Sequence, residues 1–173
     1  MMKKITLICF AIMAIAFSTN AVAQDNASAS VNTTANVITP ITITGGSALS
    51  FGDIVGTSSG GTVTVATDGT RTASATDLTI TGTPGTVSAA SFTVNGADGY
   101  TYAISLPSAF DISNSGGTAT MGVGTFVSNP DATGTLTGGT QTVNVGATLT
   151  VGADQAPGVY TNATGMTLTV NYN

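Results

Sequence analysis

The sequence predicts an all-β domain, a two-layer antiparallel sandwich, and three observations carry that expectation. Apolar residues recur at every second position in run after run; clusters of Gly, Asn, Asp, Pro and Ser separate the runs; and past residue 23 no segment carries the spacing of an amphipathic helix. A second layer is needed because a single sheet of this composition would leave one apolar face in water. A transmembrane barrel shows the same alternation but calls for strands of roughly 9–11 residues and aromatic girdles. Most runs here are shorter, and aromatic residues make up only 6% of the chain.

In chain order, Lys3 and Lys4 supply a positive start, Ile5 to Phe17 an apolar run too short to span a bilayer comfortably, and Ala21-Val22-Ala23 a small-x-small cleavage motif. Residues 1–23 therefore read as a signal peptide, with the mature chain starting at Gln24 and Cys9 leaving with the leader. The remaining 24–173 suit one domain with a hydrophobic core, and composition offers no linker that would cut it. The mature stretch opens on a single parity: Ala27, Ala29, Val31, Thr33, Ala35, Val37, Thr39, Ile41 and Ile43. Pro40 falls on the other parity and lacks an amide hydrogen, which suits an edge or a break between strands. That divides the chain into an N-terminal extension, 24–34, and a sandwich domain, 35–173, whose first strand draws on Ala35 to Thr44.

Later strands are expected at Val63 and Val65, Leu78 and Ile80, and Phe92 and Val94. The clearest is Tyr100-Thr-Tyr102-Ala-Ile104-Ser-Leu106, bounded by Asp98-Gly99 and Pro107, with four large apolar groups on even positions. Further runs fall at Met121 and Val123, Val143 and Val145, Leu149 and Val151, and last at Met166, Leu168, Val170 and Tyr172. Thr fills the alternate positions, where its β-branch favours extended backbone and its hydroxyl stays wet.

Composition excludes several functions. After the leader there is no His, Cys, Lys, Glu or Trp, so Ser or Thr has no base to make it a nucleophile, and disulfides and thiolate or imidazole metal sites are absent. Arg71 stands alone against eight aspartates, which leaves nothing to neutralise the phosphates of a nucleic acid. Asp68-Gly69, Asp98-Gly99 and Asn129-Pro130-Asp131 read as turns rather than paired catalytic carboxylates. No Asp-x-Asp-x-Asp-Gly calcium loop occurs, and the glycine pairs lack the Lys and helix of a phosphate loop. The expectation is a protein without catalytic residues, metal or cofactor.

The extended Ala/Val/Thr start, Leu49-Ser50-Phe51-Gly52, Tyr100 to Leu106, Pro157-Gly158-Val159-Tyr160 and the final Met166 to Tyr172 run, in that order, resemble bacterial spore coat protein U and archaic chaperone–usher pilin domains. The chain also resembles a family of secreted Gly/Thr-rich bacterial domains of unknown function with the same organisation. The pilin resemblance implies an immunoglobulin-like sandwich lacking its final strand, which the next subunit's N-terminal extension donates. It does not extend to the cysteine pair common in those families. With the last strand ending at Tyr172, a groove would stay open, and an added strand would fill it through main-chain hydrogen bonds and alternate side chains. Ala27, Ala29, Val31 and Thr33 are the candidate donor positions. Met166, Leu168, Val170 and Tyr172 are the candidate groove edge or chaperone contact.

The expected function is a pilin-like structural subunit of a surface filament, assembled by donor-strand exchange with copies of itself or related subunits, and exported through the periplasm toward the cell surface. A periplasmic chaperone and an outer-membrane usher are the partners that the resemblance implies. The alternative is a self-contained secreted sandwich that holds carbohydrate or adheres through loop residues such as Tyr100, Asn114 or Asn129.

Overall fold

The computed structural model describes residues 26–74, 78 and 85–173. The expected signal peptide, Gln24 and the position Ile80 lie outside them. Contacts divide the chain between Asn36 and Val37. Taken by itself, the described part of the first unit, 26–36, carries no strand or helix, and every residue in it is exposed.

The second unit is built from strands alone among the described residues: β1 (Thr42–Gly45), β2 (Ser50–Phe51), β3 (Gly61–Val65), β4 (Arg71–Ala73), β5 (Val87–Ser88), β6 (Ala90–Asn95), β7 (Thr101–Ser105), β8 (Phe110–Asn114), β9 (Thr120–Asn129), β10 (Thr133–Thr135), β11 (Thr140–Val151), β12 (Tyr160–Thr161) and β13 (Thr169–Tyr172). All pairings are antiparallel. The main sheet runs β1-β6-β11-β9-β8-β12, with β3 and then β4 branching from β11. A smaller sheet runs β10-β7-β13, and β2 pairs with β5. The all-β antiparallel sandwich expected from the alternation is what the chain forms.

β11 is the spine. Its first half, Thr140–Val145, pairs with β6, and its second half, Ala147–Val151, pairs with β3, so one strand serves two neighbours in succession on the same side. The sequence suggested separate runs at Val143/Val145 and Leu149/Val151; they are one strand, and Ala147 between them keeps the inward parity. Two cores follow. Around the first half, Val94, Val143 and Val145 of the main sheet pack with Tyr102, Ile104 and Val170 of the smaller sheet and Leu168 just before it. Around the second half, Val63, Val65, Val123 and Leu149 pack with Phe51 and Leu78. Leu49 and Phe126 touch both.

The outward positions follow the Thr pattern: Thr64 and Thr148 sit opposite each other across β3 and β11, with hydroxyl oxygens 2.9 Å apart. Three local departures have backbone causes. In β9 the register to β11 passes from Val127 opposite Gly146 to Gly124 opposite Thr148, so β9 carries one extra residue there. Thr125 takes up the bulge at φ 49°, and the inward parity switches from Met121 and Val123 to Phe126 and Ser128. Tyr100, expected on the inward face, precedes β7 and is 42% exposed because the turn at Asp98-Gly99 extends to it; Tyr102 and Ile104 are buried as expected. At the other end, the ladder of β1 begins only at Thr42, two residues past the amide-less Pro40.

Candidate functional site

The smaller sheet covers only the first half of the main sheet's inner face. Over the second half the layer is incomplete among the described residues, and a trough of about 1100 Å³ opens there. Its floor is made by alternate side chains of three adjacent strands: Phe110 and Ile112 of β8, Met121 and Val123 of β9, and Leu149 and Val151 of β11. Those from β11 and Val123 are buried, whereas Phe110, Ile112 and Met121 remain half-buried. The half-buried state follows from the fold, because period-two alternation turns these side chains inward and, among the described residues, no strand lies over them.

One wall is the segment Gly45–Gly56, which presents Leu49, Phe51 and Ile54. Arg71 holds this wall to β4: its Nη1 donates to the carbonyls of Phe51 at 2.7 Å and Asp53 at 3.0 Å. The other wall is the chain from Gln155 to Asn162 with Gly165 and Met166. Here the Gln155 amide is the clamp. Its Oε1 accepts from the Gly152 amide, and its Nε2 donates to the Thr120 carbonyl and to the Tyr160 hydroxyl, which in turn donates to the Ala156 carbonyl at 2.6 Å. Two valines stand on the rim, Val55 at 46% and Val159 at 74% exposure. Asp53 is the one charged side chain in the lining among the described residues, so the site is sparsely charged and largely apolar.

Upstream and downstream of the trough the same two walls continue as β1 and β13. Among the described residues, β1 is paired only with β6, and β13 only with β7, so each offers an unpaired main-chain edge. Of the groove-edge residues read from sequence, Met166 lines the trough. Leu168 and Val170 instead belong to the first core, at 6% and 9% exposure, and Tyr172 is half-buried at the far end of β13. The candidate donor positions Ala27, Ala29, Val31 and Thr33 are all exposed, Val31 at 87%. Of the floor residues, Met121, Val123, Leu149 and Val151 fall on runs expected from sequence, and only the β8 pair was missed: Phe110-Asp-Ile112 is a two-member alternation just after Pro107.

Elsewhere, polar side chains close turns. Asp68 accepts from the Thr70 amide at 2.8 Å, and hydrogen bonds from the Thr70 backbone and then its hydroxyl hold the Asp68 carboxyl below its ordinary range. Asp98 accepts from the Gly138 amide. The Asn114 carboxamide oxygen accepts from Thr118 and Ala119 and so closes the β8–β9 turn, while the Tyr100 ring rests on Tyr172 with centroids 5.7 Å apart.

In comparisons with known proteins, a family model described as a domain of unknown function, DUF4402, matches residues 41–172. No curated protein and no solved structure matches the chain.

Proposed function

We propose, for a chain that belongs to the DUF4402 family of domains of unknown function, that it is a pilin-like structural subunit of a bacterial surface filament, in which each copy's N-terminal extension completes the sandwich of the next. The observation that carries this reading is the trough: an apolar floor, half-exposed, between two walls that run on into unpaired strand edges. Contiguous apolar surface of this kind marks a binding site for another chain. Its shape favours a strand over a small ligand, since the lining offers few convergent polar groups and the flanking edges offer main-chain donors and acceptors.

The extension has the matching form. Ala27, Ala29, Val31 and Thr33 fall on one face of an extended segment, and Ala27–Thr33 would reach about 23 Å at strand rise. Because giver and receiver are different surfaces, the contact does not close on itself and yields a filament. The resemblance to spore coat protein U and archaic pilin domains supports the same reading. It adds a periplasmic chaperone, an outer-membrane usher and export past the periplasm to the cell surface. The subunit acts by assembly, with no reaction and no cofactor. The turn duties of Asn114 and the packing of Tyr100 lend no support to a carbohydrate module built on those residues.

Two versions of the protein test this. The chain starting at Gln24 should give a ladder in unboiled SDS samples and filaments by electron microscopy; the chain starting at Ala35 should give neither while unfolding cooperatively. Folded monomers from both, with no ladder and no fibres, would refute the assembly.

A further inference from the structure

The Tyr172 hydroxyl occupies an unusual position for the end of a C-terminal strand. It donates to the carbonyl of Thr39 at 2.9 Å and accepts from the amide of Ala97 at 2.6 Å, so both of its hydrogen-bonding roles are taken. Gly96 makes room for it, since a Cβ there would fall on the hydroxyl oxygen. The ring leans on Tyr100 at an interplanar angle of 60°. Three segments are thereby tied at one point: the chain entering β1, the β6–β7 turn and the end of β13.

Thr39 is the residue before Pro40, and proline restricts its predecessor to extended backbone while fixing its own φ. The Thr39-Pro40 step is thus stiff by covalent geometry and pinned by Tyr172. It also lies away from the trough. β1 runs from Thr42 opposite Asn95 to Gly45 opposite Phe92, and from Tyr172 the chain runs back through β13 to Met166 ahead of it; both reach the trough only at the far ends of those spans.

Resting on the assembly reading above, we propose that Tyr172 is a positioning residue for the joint between subunits: it fixes the root of the donated segment at Thr39 on the pole opposite the trough. In a filament, residues between Thr33, the last donor position, and Thr39 span the joint. With Tyr172 in place the free link is residues 34–38. Without its hydroxyl the link extends to Ile41, where β1 packing begins, and a longer free link is a softer one. This role is distinct from lining the groove, since Tyr172 is absent from the trough's walls.

The test is Tyr172→Phe in the full mature chain, compared with the parent by SDS ladder and by filament persistence length in electron micrographs. Pro40→Gly loosens the same root without touching the core and serves as the second variant. The expected result is an undiminished ladder from both variants, with a persistence length reduced by about twofold or more. A ladder with unchanged stiffness overturns the joint and leaves the assembly reading standing. Loss of the ladder in Tyr172→Phe, with Pro40→Gly unaffected, overturns it too, because Tyr172 would then be part of the receiving groove. No ladder from the parent chain removes the assembly reading, and the joint with it.

Discussion

The variant Ile112→Asp is expected to fold, to lose the capacity to accept a strand, and to keep the capacity to donate one. Ile112 sits mid-floor on β8 and is half-buried, so in the free domain a carboxylate there can still reach water. The cost to folding is then the ordinary loss of a partly buried side chain, about 1–3 kcal/mol. Once a strand lies over the floor, the charge is sealed beneath it, and no Lys or Arg lines the trough among the described residues. An unpaired buried charge costs several kcal/mol, and about 4 kcal/mol is already a thousandfold in affinity. The variant alone should give no ladder. Mixed with parent chain it should shorten the filaments, because each copy can be added by its extension but receives nothing. Filaments of undiminished length in the mixture, or a ladder from the variant alone, would contradict this.

Tyr102→Ala should produce the largest loss of stability. Tyr102 is fully buried in the middle strand of the smaller sheet, opposite Gly134 on one side and Tyr172 on the other. Its ring lies where a Cβ on Gly134 would be, which is why that partner is glycine. Its hydroxyl donates to Gln141 Oε1 at 2.8 Å, and the same oxygen accepts from the Thr135 amide. Removing a large buried ring costs about 3–5 kcal/mol. Against a domain stability of about 5–15 kcal/mol that is a large share, readable as a shift in urea midpoint. Tyr102→Phe keeps the ring and should cost about 1 kcal/mol for the lost hydrogen bond.

Alkali gives an independent reading of the same side chain. Burial pushes the Tyr102 phenol above its ordinary value of 10.0. The unfolded chain therefore ionises first, and the stability held below pH 10.0 is lost as pH rises through the raised value. Tyr102→Phe should remove that part of the alkaline loss.

How far the sequence carries the fold can be judged strand by strand. Val63 and Val65, Val143 and Val145, and Leu149 and Val151 were legible as inward pairs because period-two alternation is a local property, and all six are buried. Phe126 and Ser128 were not, because the extra residue at Thr125 reverses parity inside a strand and no composition cue marks it. The depth of Leu168 and Val170 was not legible either. Alternation says which way a side chain points, and only the pairing of β13 with β7 places Val170, and Leu168 just before the strand, over the first core. The trough itself depends on β7 and β13 covering one half of β11 and leaving the other, a long-range matter that no window of sequence contains.

The most direct measurement is a titration. A synthetic peptide of residues 24–34 is added to the chain starting at Ala35, and thermal unfolding is followed as peptide concentration rises. If the trough receives that segment, Tm should climb with peptide concentration as expected for a ligand of the folded state, and Ile112→Asp should abolish the climb. A Tm that stays flat up to the peptide's solubility limit would contradict the account at its centre.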